Sequence, residues 1–442
     1  MLSAFVSAFK TPDLRKKILF TLGIIAIYRL GATLPSPGVS YGNVQKCITA
    51  MESGAESGVF TLLNLFSGGA LLSLSVFALG IMPYITASII LQLLTVVIPR
   101  LEQLRKEGQS GQAKITQYTR YLTLGLAVLQ SSAFVALARS GQLFNGACDQ
   151  FPIVPDTSLP QWVTLTALVV TMTAGTGVVM WLGELITDRG VGNGMSVLIF
   201  TSIAARLPAE GWTLKEAKGW WGFVGVLALV VVVIALVVYI EQAQRRIPVQ
   251  YAKRMVGRRM YGGTSTYIPL KVNQAGVIPV IFASSLLYLP TLALQFMDST
   301  DPSKVYLWIQ TYLTDPTHWS YIALYFAMII FFTYFYVSIT FNPTEIADNM
   351  KKYGGFVPGI RPGKPTADYL EFILSRITLP GALYLGIIAI LPNMFFIWLD
   401  SQSYQNFPFG GTAVLIMVGV GLETVKQIES QLMQRSYEGF LR

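Results

Sequence analysis

The chain has 442 residues, of which 53% are hydrophobic and only 12% are charged. Soluble domains carry roughly 25% charged residues, so a chain with about half that share must meet lipid over much of its surface. Disordered proteins are rich in charge and poor in apolar residues, and disulfide-rich scaffolds need more than two cysteines, so both classes are excluded. The net charge of +9 suits an anionic membrane surface or nucleic acid, and the positions of the charges must decide.

Apolar stretches recur along the whole chain, and about 20 such residues are enough for a helix to cross the hydrocarbon core. The ten predicted spans are 18–34, 71–98, 120–138, 161–183, 194–208, 220–240, 274–296, 319–341, 377–398 and 411–431. The second is too long for one span and holds Pro83, so it is a tilted or broken helix, or a half-helix followed by a full one. The loops leave no room for a soluble domain. The sequence therefore predicts an all-α polytopic membrane protein.

The distribution of basic residues predicts the topology. With ten spans both termini lie on one side, and 25 of the 32 basic residues fall in the loops on that side, against six on the other. The positive-inside rule then places both termini in the cytoplasm. Two cytoplasmic loops, 241–273 and 342–376, are long and basic, and the second holds a turn-rich protrusion at 354–363. Beyond topogenic charge, they predict a docking surface for an acidic partner, RNA or anionic lipid.

The chain has few of the residues and motifs that catalytic and metal sites use. His318 is the single histidine, and the stretch 359–364 differs from a phosphate-binding loop in glycine spacing and in having Pro365 where Ser or Thr should hold magnesium. We therefore expect no enzyme activity, no metal and no cofactor, and any energy must come from a partner or an ion gradient. The charged residues at the spans lie toward their ends, as interfacial anchors do, which argues against an ion-coupled pump. They are Arg29, Glu184, Arg206, Glu241 and Glu423.

The two cysteines, Cys47 and Cys148, both fall in predicted outer loops. They are either two unrelated thiols or one disulfide that ties two loops together in an oxidising compartment. The residues alone do not decide between these alternatives.

The segment 64–71, Asn-Leu-Phe-Ser-Gly-Gly-Ala-Leu, lies between a polar outer loop and the overlong second span. Gly68 and Gly69 would break a helix. The pattern predicts a short half-helix that dips into the bundle from outside and then turns. Since non-helical backbone at membrane depth needs protein or water around it, this segment should lie inside a cavity, which it could block.

Nine short motifs, in order and spacing, resemble those of the SecY family, the channel subunits of the bacterial protein translocase. They are residues 64–70, 78–85, 117–121, 190–194, 244–248, 270–273, 276–279, 359–363 and 410–412. The resemblance covers nearly the whole chain, although the cysteine-bearing loops match poorly and lend no support to a disulfide. It implies two inverted five-helix halves, 18–208 and 209–431, that form a clamshell around an hourglass pore. A cytoplasmic N-terminal segment, 1–17, and a cytoplasmic tail, 432–442, complete the chain.

The resemblance also implies a ring of apolar side chains at the waist of the pore. A narrow apolar constriction excludes hydrated ions by dewetting, and flexible side chains can still close around an extended peptide. Without the family, two isoleucines four residues apart would be interpreted as ordinary helix packing. The implied ring comprises Ile81 and Ile85 in the second span, Met195 and Ile199 in the fifth, Ile281 in the seventh and Ile416 in the tenth. Met195 stands where isoleucine is commoner in the family.

A plug and a lateral gate are implied in the same way. The plug would be 61–71, and its residues below the ring would be Asn64, Leu65, Phe66, Ser67, Gly68 and Gly69. The gate would lie between spans two and three on one side and seven and eight on the other, with Thr86, Ser88, Gln130 and Leu289 as members. Opening that seam lets an apolar segment partition into lipid.

The family resemblance further implies partners on the cytoplasmic face. Arg361 matches a loop arginine that the SecA motor ATPase needs, and Arg254, Arg258 and Arg259 fit the loop that contacts the ribosome or the motor. SecE and SecG subunits, signal peptides and unfolded polypeptides are the other expected partners, with anionic phospholipid around the chain in a bacterial plasma membrane. No small-molecule substrate is expected.

Two other classes remain as alternatives. A secondary transporter for a small solute would need a charged site within the membrane. A membrane scaffold without a pore would need neither the plug-like break nor the isoleucine-rich waist.

Overall fold

The computed structural model describes residues 9–53, 67–139, 153, 160–251, 254–256, 259–261, 265–295, 304–314, 318–398 and 411–438. Within these ranges most residues are helical. The helices are α1 Pro12–Thr33, α2 Tyr41–Ser53, α3 Met82–Val97, α4 Pro99–Lys106, α5 Gln109–Arg139, α6 Gln161–Arg189, α7 Gly194–Gln242, α8 Ile278–Gln295, α9 Lys304–Ile309, α10 Trp319–Thr340, α11 Pro343–Lys352, α12 Lys364–Trp398 and α13 Gly411–Glu438. A π-helical turn, Gln310–Thr314, follows α9.

Five of the described helices are long and apolar enough to cross a membrane. They are Gln109–Arg139, Gln161–Arg189, Gly219–Gln242, Trp319–Lys352 and Lys364–Leu391. A sixth results if Met82–Thr95 and Pro99–Lys106, which meet at 99°, count as one broken span. The shorter apolar helices Gly194–Pro208 and Ile278–Leu287 coincide with predicted spans five and seven. Length and hydropathy of the described helices therefore support a multi-pass protein, and the full count of ten stays a prediction.

Predicted spans five and six are joined by helix instead of by a loop. The helix α7 runs through both, and it breaks at Gly219, whose φ of 70° and ψ of −177° are not helical. Glycine adopts this backbone conformation without a Cβ penalty. The start of α7 is set by Asn193, whose side-chain oxygen accepts bonds from the backbone N–H of Met195 and Ser196.

The prediction of a second span from residue 71 is wrong at its N-terminal end. Helix α3 begins at Met82, and Pro83 occupies its first turn, where the missing N–H costs nothing. Residues 67–81, which we call the turn segment, form consecutive tight turns instead. Four of its residues have positive φ, namely Gly68 (67°), Gly69 (92°), Leu74 (45°) and Gly80 (53°). The predicted second span thus consists of turns up to residue 81 and of helix from residue 82, with turns where a half-helix was expected.

The all-α prediction is wrong in the two long basic loops, 241–273 and 342–376, which contain five strands. They are β1 Gln244–Tyr251, β2 Arg254–Val256, β3 Arg259–Tyr261, β4 Ser265–Lys271 and β5 Gly355–Phe356. Strand β1 pairs antiparallel with β4 along its length and with β5 at its end, and β2 pairs with β3. Ile247 and Val249 of β1 are buried between exposed neighbours, a period-two pattern that the surrounding arginines obscure in the sequence.

The second basic loop, 342–376, is also more ordered than expected. Residues 343–352 form α11 and residue 364 already begins α12, so only 353–363 remain as strand and turns. Because β5 pairs with β1, this loop and the loop 241–273 are parts of one sheet. An apolar cluster of β1, β4, α10, α11 and α12 residues anchors that sheet to the membrane helices.

The three largest apolar clusters of the described residues lie between the helices. The first joins α2, the turn segment, α5 and α6. The second joins α8, α10, α12 and the second part of α7, and it includes Ile89 of α3. The third joins α1, the turn segment, α6 and the first part of α7, and it includes Ile416 of α13. Elements from the two halves of the sequence therefore meet in the second and third clusters.

Candidate functional site

The six predicted ring residues lie in a single apolar cluster. Ile81, Ile199 and Ile416 are buried there, and Ile85, Met195 and Ile281 are half-buried and pack against it. They come from the junction of the turn segment with α3, from α7, from α8 and from α13. Residues more than three hundred positions apart in sequence are thus brought together, and both halves contribute. The structure places the side chains together as the resemblance implied, while their role as a ring stays a prediction.

Two glycines bring α6 and α7 into direct contact beside this cluster. A Cβ on Gly194 would lie 1.8 Å from the carbonyl oxygen of Gly183, and a Cβ on Gly183 would lie 2.5 Å from the Sδ of Met195. Neither position can hold a side chain unless its neighbours shift. Met195 therefore lies flat against α6, and its flexible thioether fills a gap that a β-branched isoleucine would fill differently.

The turn segment passes directly into the ring cluster. Phe77 belongs to the same cluster as Ile81 and Ile199, and its ring stacks on that of Tyr28, with centroids 6.0 Å apart. Of the predicted plug residues, Ser67 and Gly68 are buried and Gly69 is half-buried. Asn64, Leu65 and Phe66 lie outside the described residues.

The turn segment is fixed to α1 and to the residues that follow it by backbone bonds. The N–H of Ser36 donates to the carbonyl of Leu74, and the N–H of Val76 donates to the carbonyl of Leu34, at 3.0 and 2.9 Å. Strand-like pairing of this kind satisfies backbone groups that no helix satisfies here. The non-helical backbone is therefore surrounded by protein, as the sequence predicted.

Helices α3 and α8, which the resemblance places at the lateral gate, share one apolar cluster. Ile89 of α3 packs in one cluster with Val280 and Leu287 of α8. Thr86 and Ser88 are half-buried on α3, and the hydroxyl of Thr86 donates to the carbonyl of Met82 within its own helix. Gln130 is half-buried on α5, and Leu289 is a residue of α8. The predicted gate residues thus lie on α3, α5 and α8, and their gating role stays a prediction.

Two arginine contacts were missed by sequence reasoning. Arg105 of α4 donates from Nη2 to the carbonyl of Ile339, near the end of α10, at 2.6 Å. A cation at a helix C-terminus is favourable because the last carbonyls lack helical partners. Arg29 of α1 donates from Nη1 to the carbonyl of Gly68 at 3.1 Å. Neither acceptor leaves a signal in the sequence, because every residue has a backbone carbonyl.

The predicted docking residues lie on or beside the sheet of β4, β1 and β5, which we call the cytoplasmic sheet because the sequence predicts that side of the membrane for it. Arg361 is exposed in the turn after β5, where the hydroxyl of Thr366 donates to its backbone carbonyl at 2.8 Å. Arg254 and Arg259 belong to the β2–β3 hairpin that follows β1, and Arg258 lies outside the described residues. The guanidinium of Arg246 on β1 lies 4.8 Å from the centre of the ring of Tyr267 on β4.

Cys47 is completely buried in the first apolar cluster and is disulfide-bonded. Cys148, the other cysteine of the chain, lies outside the described residues. Because the chain has two cysteines, Cys148 is the partner that the sequence offers for this bond, and mass-shift labelling with and without a reductant tests it.

Comparison with known proteins agrees with this geometry. The SecY family model matches residues 75–425. The protein translocase subunits SecY of Mycobacterium tuberculosis and Streptomyces scabiei are 64% and 67% identical to this chain, each over the full length of both chains.

Two solved structures are similar in fold. A protein-conducting channel aligns with a TM-score of 0.62 at 18% identity, covering 94% of this chain and 91% of that one. Sec61 in a canine ribosome–channel complex from the endoplasmic reticulum aligns with a TM-score of 0.59 at 17% identity, with the same coverage. The full-length identity to curated relatives and the family match lead to one conclusion: this chain belongs to the SecY family, whose members are multi-pass membrane proteins.

Proposed function

We propose that the chain is the protein-conducting channel of a bacterial secretory translocase. The observation that carries the proposal is the gathering of six apolar ring residues, from both halves of the chain, in one cluster against a non-helical turn segment. The relatives are named as translocase subunits, and one structural neighbour is described as a protein-conducting channel. These names favour the channel over the alternative of a secondary transporter.

The ring provides a seal that does not depend on the sequence of the transported chain. Isoleucine and methionine side chains offer no hydrogen-bond partner to a hydrated ion, so a narrow constriction between them dewets. An unfolded polypeptide crosses by displacing the same side chains. The turn segment and the predicted plug below the ring close the resting pore.

The seam between α3 and α8 provides the lateral exit. The contacts between these two helices are apolar. An apolar segment of a passing polypeptide can therefore take the place of one helix surface with little change in free energy. Such a segment then partitions into lipid, which is favourable through its own burial. Thr86, Ser88, Gln130 and Leu289 are the residues that we assign to this gate.

The proposed topology has ten spans in two inverted halves, 18–208 and 209–431, that form a clamshell around an hourglass pore. The segment 1–17 and the tail 432–442 are cytoplasmic, and the membrane is the bacterial plasma membrane. The excess of 25 basic residues over six on the side of the termini supports this orientation. The five long apolar helices and the two shorter ones coincide with predicted spans and support the count.

The chain itself is proposed to be non-catalytic, with the energy supplied by the SecA motor or a translating ribosome. The cytoplasmic sheet is the proposed docking face for both, through Arg254, Arg258, Arg259 and Arg361. Structural neighbours from dog and yeast were described in complexes with ribosomes. SecE and SecG subunits would complete the channel.

Export assays on reconstituted or cellular translocase test the docking face. The change Arg361→Glu should abolish motor-driven export while the protein stays inserted and stable, because the charge reversal acts only at an exposed loop. Arg189→Glu is the matched control, since Arg189 is exposed at the end of α6, lies outside both basic loops and equally reverses a charge on the proposed cytoplasmic side. Normal export by the Arg361 variant would contradict the assignment.

Conductance measurements test the pore itself. Deleting residues 61–70 should make the reconstituted protein leak ions if a plug lies there. Unchanged conductance would favour a transporter or a scaffold without a pore.

A further inference from the structure

The turn segment is attached to the bundle in two different ways at its two ends. Its C-terminal part is held by the backbone bonds of Leu74 and Val76 to residues 34–36. It is also packed into two glycine slots, because a Cβ on Gly31 or Gly175 would lie 2.1 or 1.9 Å from atoms of the segment. Because several contacts hold residues 74–80 in place, we call these residues the stem of the turn segment.

The N-terminal part of the segment is held by Arg29. Its Nη1 donates to the carbonyl oxygen of Gly68 at 3.1 Å. Gly68 occupies a slot between α1 and α7, since a Cβ there would lie 2.7 Å from Nη1 of Arg29 and 3.2 Å from the Cα of Ser202. Its φ of 67° also favours glycine. The opposite wall of the slot is set by a hydrogen bond of 2.7 Å between the hydroxyls of Tyr28 and Ser202.

The charge of Arg29 makes this contact more than a packing detail. Arg29 is half-buried on α1, the first span of the proposed topology, and neither the ion pair Lys106–Glu102 nor the ion pair Arg120–Glu184 of the described residues involves it. The carbonyl of Gly68 is therefore the hydrogen-bond acceptor that the structure gives to its guanidinium. A hydrogen bond to a charged donor is stronger than a neutral one, and withdrawing the acceptor leaves a partly desolvated charge unpaired.

We propose that Arg29 is a latch that holds the N-terminal end of the turn segment at Gly68 while the channel is closed, and that the latch releases when a polypeptide enters. The stem at 74–80 stays in place, and the segment moves about it. Sequence reasoning treated Arg29 as an interfacial anchor, and the contact with Gly68 gives it this second role. The proposal rests on the proposed channel function.

Ion conductance of the purified protein in planar bilayers tests the latch. Arg29→Met keeps an unbranched apolar side chain and removes the charge and the donors. Because the loss of a charge-assisted hydrogen bond shifts a two-state equilibrium, the basal conductance should rise about tenfold. Arg29→Lys keeps the charge and can still donate a hydrogen bond from Nζ, so its basal conductance should stay close to that of the unchanged protein. A purely structural role would instead make both variants equally unstable without a difference in conductance.

The control is Arg139→Met. Arg139 is exposed at the end of α5 and donates to the side chain of Gln161 at 2.7 Å, away from the turn segment. The conductance of the Arg139→Met variant should equal that of the unchanged protein. A leak as large as that of Arg29→Met would overturn the latch hypothesis. The deletion of 61–70 separates the two hypotheses. If the deletion leaks and Arg29→Met does not, the latch is wrong and the channel stands; if the deletion does not leak, the plugged channel is wrong.

Discussion

Gly175 of α6 offers a sharp test of how the turn segment is seated. A Cβ at this position would lie 1.9 Å from the carbonyl oxygen of Val76 and 2.9 Å from its carbonyl carbon. Both atoms are backbone, so no side-chain rotation can relieve the contact. Ordinary van der Waals contact begins at 3.4 Å, and Gly175→Ala must therefore move the segment or α6 by about 1.5 Å.

The expected free-energy change follows from two opposing terms. Alanine is favoured over glycine within a helix by up to about 1 kcal/mol. Overpacking of a close-packed interior costs about 1–3 kcal/mol, and a clash with backbone lies at the upper end of that range. The net cost of about 1–2 kcal/mol reduces the population with a seated segment by a factor of roughly 5 to 30. We therefore expect a higher basal ion conductance in planar bilayers and a lower thermal midpoint.

Gly177→Ala is the matched control on the same helix. A Cβ there would meet only the Cδ2 of Leu124, at 3.7 Å, which is an ordinary contact. This variant should keep the conductance of the unchanged protein, with an equal or slightly higher thermal midpoint. If Gly175→Ala behaves like Gly177→Ala in both measurements, the close approach of α6 to the turn segment does not hold the seal, and the reasoning is refuted.

Three further predictions concern other parts of the molecule. Replacing Ile199 and Ile416 together by serine should raise basal conductance, because hydroxyls let the constriction wet, and a tight seal in that variant would argue against the ring. The bidentate pair of Arg120 with Glu184 is largely accessible on the arginine side, so a double-mutant cycle with Met and Gln should give a coupling of about 1 kcal/mol or less. Gly355→Val would press on a tyrosine ring of β1 at 3.0 Å, and should weaken motor-driven export while leaving the ion seal intact.

Some features of the candidate site could be predicted from local sequence, and others only from the resemblance to a family. The break at Gly68 and Gly69 was readable because two consecutive glycines before an overlong apolar stretch are hard to reconcile with a continuous helix. The grouping of Ile81 with Ile416 was accessible only through resemblance to a family, since Ile81 and Ile85 alone indicate helix packing. The structure confirms that these side chains share one cluster.

The sheet formed by the two basic loops was not predicted, and the reason is physical. Pairing of Gln250 with Phe356 joins segments about a hundred residues apart, and a strand of two residues such as β5 has no periodicity to detect. The stability of that pairing comes from tertiary contacts with α10 and α12. Local patterns therefore described this region as loops.

The sequence by itself determined the class of protein, the uneven distribution of basic residues among the loops and the glycine break ahead of α3. Those properties depend on composition, on charge and on local backbone preference, all of which can be read residue by residue. Only the tertiary structure decided that Arg29 meets Gly68 and that Arg105 meets Ile339, contacts that span 39 and 234 positions. Their acceptors are backbone carbonyls, which are present at every position, so distance and direction in the folded bundle select the one that is used.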